Sequence, residues 1–264
     1  MPELLEVEAY RQLAEEALKR PIAAVGTPDT WYLKRGLEAG DLVVMVGGQF
    51  VAARRRGKLL LLDTEMPEGG AGPVLGLRFG MTGRLAVDGR AGVGQLLYSS
   101  DHLLAKYERL RVTFADQGHL VVSDVRRLGG VELDPDEGRL GYDAASVTEE
   151  ELAQALSGSR SPLKARVMDQ VHLAGLGNLS ADEVLWRAGL SPFRPAASLA
   201  GAETRRLHHH LRASLADMAE RGGSHTGDLM PERVAGGKCP RDGHLLRHDK
   251  IGGRTTWWCP AHQH

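Results

Sequence analysis

The chain opens Met1-Pro2-Glu3-Leu4-Leu5-Glu6, and its most reactive group could be the amine of Pro2. A small second residue permits removal of the initiator methionine, which would leave Pro2 with a free secondary amine. An α-amino group titrates near pH ~8, so a useful fraction is neutral at physiological pH, far more than for an ordinary lysine. A neutral secondary amine can add to an electrophilic carbon such as the anomeric carbon of a sugar, expel the group carried there, and leave an iminium that drains electrons for a later elimination. Glu3, the next residue, could protonate the sugar ring oxygen as the ring opens, while Glu6, one helical turn on, could order the site or shuttle a proton. The same residues also make an ordinary helix start, with proline in the first turn and acids facing the positive end of the helix dipole.

A second set of chemistry-bearing side chains sits at the other end. The two cysteines, Cys239 and Cys259, are too few for a disulfide framework but well placed for a small metal knuckle. They head two short groups, Cys239-Pro240-Arg241-Asp242 and Cys259-Pro260-Ala261-His262. Zinc could be held by Cys239, Cys259 and His262 with either Asp242 or His244 as fourth ligand, a chemically acceptable mixed set. The alternative is a metal-free finger kept in shape by packing of Trp257 and Trp258. Lys238, Arg241, Arg247, Lys250 and Arg254 make this region locally basic. His208-His209-His210, by contrast, falls in a helical pattern, where consecutive side chains diverge and do not chelate one ion together.

These residues need a scaffold, and its elements can be read from periodicity. Residues 3–20 carry Leu4, Val7, Leu13, Ala14, Ala17 and Leu18 near helical spacing, with Pro21 as a stop. From residue 22 to about 133 the pattern turns to short β-rich runs, at 42–46, 59–63, 74–79, 110–114 and 119–124, separated by glycine turns. That spacing predicts an antiparallel sandwich or barrel. After a polar stretch, Thr148 followed by three glutamates opens a capped helix, and helical spacing continues through residues 162–171, 180–188 and 202–221. The bulk figures fit: 264 residues and 42% hydrophobic side chains suffice for a sizeable core. A formal charge of −1 gives no global sign of nucleic-acid binding, so any such role rests on local clusters. No run approaches the ~18 apolar residues of a membrane span, and a cytoplasmic location is expected.

Several segments, in order, carry a family resemblance. Met1-Pro2-Glu3-Leu4-Leu5-Glu6-Val7-Glu8 resembles the opening of the formamidopyrimidine-DNA glycosylase and endonuclease VIII family, with Leu5 where that family commonly has proline. Arg56-Gly57-Lys58 resembles its hairpin bearing a catalytic lysine, and Phe79-Gly80-Met81-Thr82-Gly83 its methionine-bearing loop. Asp124-Val125-Arg126-Arg127-Leu128-Gly129 resembles its Asp-Pro-Arg-Arg-Phe-Gly segment. Met168-Asp169-Gln170 through Gly175-Leu176-Gly177-Asn178 resembles its helix-two-turn-helix motif, and Arg254-Thr255-Thr256 up to Gln263 its zinc-finger end.

The resemblance implies an α+β fold: an N-terminal helix plus antiparallel β-sandwich over residues 1–135, a helix-two-turn-helix domain over 146–222, and a zinc-finger-like β-hairpin over 234–264. It implies a base-excision DNA glycosylase with lyase activity, acting on damaged, oxidised bases in duplex DNA through an iminium at Pro2, supported by Glu3, Glu6 and Lys58. Extruding a nucleotide leaves a hole in the stack, which Met81, Arg126 and Leu128 would fill. Lys58, Arg127, Lys164, Asn178 and Arg254 would hold phosphates, with Lys58 and Arg56 on one face of a strand. Leu128 stands where the family often has an aromatic residue, and Ser180 where it often has tyrosine. Structural zinc, double-stranded DNA as partner and a monomeric state complete the expectation. A lesion-binding protein without turnover, or a glycosylase for bulky or cross-linked bases, are the alternatives. Residues 222–228 could serve as a lid over the extruded base or as a plain linker.

Overall fold

The computed structural model describes residues 2–93 and 105–264. Met1, whose removal would expose the Pro2 amine, lies outside them. The chain divides into two compact units, one of Pro2 with residues 6–137 and one of residues 3–5 with 138–264.

The first unit combines helix α1 (Leu4–Ala14), from Glu6 on, with two antiparallel sheets. The strands are β1 (Ile22–Gly26), β2 (Gln49–Arg56), β3 (Leu59–Glu65), β4 (Ala71–Arg78), β5 (Arg84–Val87), β6 (Arg90–Ala91), β7 (Glu108–Phe114), β8 (His119–Ser123) and β9 (Gly130–Leu133). One sheet has the order β1-β7-β8-β5-β6 and the other β2-β3-β4-β9. Alternate side chains of each face inward: Leu110, Val112 and Phe114 from β7, Leu60 and Leu62 from β3, Leu75 and Leu77 from β4 share one core. Val7, Tyr10, Leu13 and Ala14, at helical spacing on α1, close the same core. The β-branched run at 42–46 is not a strand. Residues Ala39–Met45 form a 3-10 stretch in which Asp41 accepts from the Glu38 amide at 2.8 Å, and Val43 and Val44 are exposed. A local side-chain bond here outcompetes β propensity.

The second unit holds β10 (Tyr142–Asp143), α2 (Glu149–Leu156), α3 (Leu163–Val167), β11 (Leu173–Ala174), α4 (Asn178–Ala188), α5 (Gly201–Glu220), and the hairpin β12 (Arg247–Ile251) and β13 (Arg254–Trp258). Thr148 caps α2, accepting from the Glu151 amide at 3.2 Å while Glu151 accepts from the Thr148 amide at 2.9 Å. Helix α4 is buried along nearly its whole length. Ala181, Val184, Leu185 and Ala188 join the helical core, while Trp186 packs with Leu229, Cys239, Leu246 and Cys259 beneath the hairpin. No helix among the described residues is long and apolar enough to cross a membrane.

Candidate DNA-processing and metal-binding sites

In the first unit Pro2 is buried immediately ahead of α1, and Glu6, in the helix's first turn, is buried as well. Lys58 does not lie on a strand beside Arg56, as alternation suggested. Arg56 pairs with Leu59, so Gly57 and Lys58 form the two-residue turn between β2 and β3. That turn is tied to α1: Glu8 accepts from Arg55 at 2.9 Å, and Arg55 donates to the Gly57 carbonyl at 3.1 Å.

The expected wedge residues come from two loops that touch. Gly80 has φ +56°, and a Cβ there would come within 2.5 Å of the Leu128 and Gly129 backbone, so the close approach requires glycine. Asp124, fully buried, clamps the pair. It accepts from Thr82 Oγ1 at 2.5 Å, the Arg126 amide at 3.1 Å and the Gly129 amide at 2.9 Å. Met81 is half-buried, and Arg126 and Leu128 are exposed. Helix α1 reaches this cluster too, since the buried Tyr10 hydroxyl donates to the Gly83 carbonyl at 3.1 Å and burial raises its pKa. Arg127 takes a left-handed φ of +57° and holds Asp29 through two bonds of 2.6 and 2.7 Å. That guanidinium, about half exposed, holds the Asp29 carboxyl below its usual range, so a phosphate would share it. Asp124→Ala leaves those donors without their acceptor and is expected to cost about 2–4 kcal/mol of unfolding free energy. Urea titration measures it, and a loss under ~0.5 kcal/mol would contradict the clamp.

In the second unit Glu3 is 1% exposed and seated at the start of α4. Its Oε1 accepts from the Leu179 amide at 2.9 Å, and its Oε2 from the Gly177 amide at 3.0 Å, the Ser180 amide at 3.1 Å and the Ser180 hydroxyl. Backbone amides at a helix start favour an anion. A Cβ on Gly177 would come within 2.3 Å of that carboxylate, so glycine is what lets Glu3 in. Ser180 thus has a structural use of its own, accepting from the Gly177 amide at 3.0 Å while donating to Glu3.

Lys164 corrects the expectation of a surface phosphate ligand, because it has no exposed area. Its ammonium lies 2.7 Å from Asp182 Oδ1 and donates to Asn178 Oδ1 at 2.7 Å, Thr256 Oγ1 at 2.9 Å and the Thr255 carbonyl at 3.1 Å. Burial pulls its pKa down, with Asp182 opposing that shift. Asn178, at the head of α4, is half-buried, and Arg254, at the head of β13, is exposed. Asp182, Glu183 and Trp186 were not singled out in the sequence. The one available signal was two adjacent acids flanked by the apolar residues Ala181, Val184 and Leu185. Glu183 accepts from Arg187 at 2.6 Å, the Asp228 amide at 3.0 Å and the Leu229 amide at 2.9 Å, which anchors the end of residues 222–228. His208 bonds the Val147 carbonyl at 2.8 Å rather than joining its neighbours.

In the finger, one ligand atom each from Cys239, Asp242, Cys259 and His262 lies within 4.8 Å of the others. His262 Nε2 sits 3.2 Å from the Trp186 carbonyl, which places the proton there and leaves Nδ1 toward Asp242 at 3.0 Å and Cys239 at 3.6 Å. Trp186 also donates its indole N–H to Cys239 Sγ at 3.3 Å. His244 stays outside, 64% exposed, 3.3 Å from Asp242 Oδ1. Burial pushes the Cys259 thiol up to about 12. Burial also opposes ionisation of Asp242, but the His244 amide and His262 hold its carboxyl below the usual range. The donor set, with the Trp186 indole and carbonyl bonded to Cys239 and His262, fits a tetrahedral cation.

Residues 1–131 match the family model of the formamidopyrimidine-DNA glycosylase N-terminal domain, and residues 140–229 that of the formamidopyrimidine-DNA glycosylase H2TH domain. The chain belongs to the formamidopyrimidine-DNA glycosylase family. It is 33% identical to the formamidopyrimidine-DNA glycosylase of Paracoccus denitrificans, over 99% of this chain and 91% of that one. It is 30% identical to that of Chloroflexus aggregans, over 100% of this chain and 98% of that one. Its fold is similar to that of MutM in complex with carbocyclic 8-oxo-G containing DNA, at TM-score 0.81 and 25% identity over 99% of both chains. It is also similar to Lactococcus lactis Fpg in complex with abasic-site DNA, at TM-score 0.79 and 25% identity over 99% of both chains.

Proposed function

We propose that this glycosylase excises oxidised bases from duplex DNA and then cleaves the strand at the resulting abasic site, with the Pro2 amine as nucleophile. Membership of the family carries the reaction class. The observation that carries the residue assignment is the Glu3 carboxylate, fixed by four donors at the start of α4 in the position directly following Pro2.

The neutral Pro2 nitrogen adds to C1′, the C1′–N bond breaks and the base leaves with a proton. The Glu3 carboxylate takes up the proton that the added Pro2 nitrogen sheds and delivers it to the ring oxygen, which opens the sugar and yields the iminium, and loss of a C2′ proton then expels the 3′ phosphate. Lys58, on its hairpin turn, supports the sugar or a phosphate, and Glu6 assists proton movement. Met81, Arg126 and Leu128 fill the emptied stack, while Asn178, Arg127 and Arg254 hold phosphates. Borohydride reduction of the iminium should yield a covalent protein–DNA adduct with abasic or oxidised duplex. No adduct with either would sink the amine mechanism.

Zinc held by Cys239, Asp242, Cys259 and His262 would brace the hairpin that carries Arg254. When bound, it acts as a structural cross-link. Purified protein should contain about one equivalent. Asp242→Asn should weaken metal retention by more than the roughly 10–100-fold that follows from losing a partner of a ligand, because Asp242 is itself a ligand, and lower affinity for duplex DNA. Elemental analysis after dialysis against a chelator reads the first and a binding titration the second. Metal content equal to wild type in that variant would remove Asp242 from the ligand set.

A further inference from the structure

Two interior charges of the second unit, Lys164 and Asp182, have no part in the chemistry above. Lys164 and Asp182 are both buried, and Arg233 reaches the other oxygen of Asp182, which also accepts from the Trp257 amide at 3.1 Å. A buried ion pair is a poor source of stability, because well-packed apolar residues in its place are often as stable. Its value lies in what it orients. An ammonium has hydrogens to give and no acceptor, so the Asn178 amide must turn its oxygen inward to Lys164. The Nδ2 hydrogens then point the other way, as donors. The pair also grips three consecutive residues of β13: the Thr255 carbonyl, the Thr256 hydroxyl and the Trp257 amide. Because Thr256 Oγ1 accepts from Lys164, its own hydrogen is directed to the Arg254 carbonyl at 3.3 Å.

We propose that Lys164 and Asp182 form a positioning pair that aims Asn178 outward as a donor and locks Arg254 in register with the start of α4. Two phosphate ligands on separate elements then act as one. This rests on the proposed phosphate roles of Asn178 and Arg254, and it assigns Lys164 no DNA contact of its own.

A double-mutant cycle on the full chain tests it, read as affinity for a duplex containing a tetrahydrofuran abasic analogue. Lys164→Met and Asn178→Ala should each weaken binding about tenfold, and the double variant should be no weaker than the worse single, because coupled residues are non-additive. Losses that multiply to roughly a hundredfold would overturn the positioning role, since an independent contact behaves that way. Thr256→Val breaks the relay without disturbing any charge and serves where Lys164→Met does not fold. It should weaken binding about threefold in the wild-type background and not at all beside Arg254→Ala. An undiminished effect beside Arg254→Ala would remove the relay. Failure of the wild type to bind the analogue would instead strike the phosphate roles themselves, and the purpose of the pair with them.

Discussion

Extending the chain by a single residue ahead of Pro2 is expected to abolish the borohydride-trapped adduct. The nitrogen becomes an amide, whose lone pair is delocalised into the carbonyl and no longer attacks carbon. Pro2→Gly keeps an amine but makes it primary and frees the backbone that the pyrrolidine ring holds near one φ. Its single-turnover rate of strand cleavage should fall on the order of 10³-fold, less than the ~10⁶-fold that outright loss of a nucleophile can cost, because a primary amine remains. Affinity for the abasic analogue should change little in either variant, because phosphate contacts supply most of the binding to DNA. That separation identifies the role: binding kept, adduct lost. An adduct undiminished in the extended form would pass the nucleophile to another amine, Lys58 first. A parallel loss of binding would mean that Pro2 organises the start of α1 and does no chemistry.

Much of this was legible in the residues. Apolar spacing along α1 and the alternation in β7 follow from burying one face of each element, so both survive translation from pattern to fold. The acid and the amine at the chain start were equally visible. What escaped was anything set by tertiary partners. Lys164 read as a surface cation because lysine is rarely fully buried unpaired, and only the fold supplies Asp182, which comes from α4, beyond β11. Lys58 read as a strand residue because Gly57 takes a positive φ that alternation does not reveal. The 42–46 run read as a strand because its valines favour β structure, and it is the bond from the Glu38 amide to Asp41 that turns it into a 3-10 stretch instead. The knuckle left Asp242 and His244 equivalent by spacing, and the position of His262 Nδ1 beside Asp242 separates them. Ser180, read as the loss of a phosphate partner, proved to be a donor to Glu3.

The second large effect is expected at Glu3. Both oxygens of its carboxylate accept from N–H groups, Oε1 from Leu179 and Oε2 from Gly177 and Ser180. Glutamine in this place must turn its NH2 toward at least one of those donors. Glu3→Gln therefore removes the acid and leaves a mispaired amide, which costs about 1–3 kcal/mol of stability. If Glu3 moves a proton at the sugar, single-turnover base release at saturating enzyme should fall by roughly 10²–10⁴-fold. If the carboxylate serves α4 as a cap and nothing more, stability drops while base release stays within a few-fold of wild type. Gly177→Ala offers an independent check, because the added methyl invades the space of the Glu3 carboxylate while leaving the acid itself intact. Displacement of the acid should then slow base release as Glu3→Gln does. Full activity in both variants would leave Pro2 without its partner and move the search for the proton donor to Glu6.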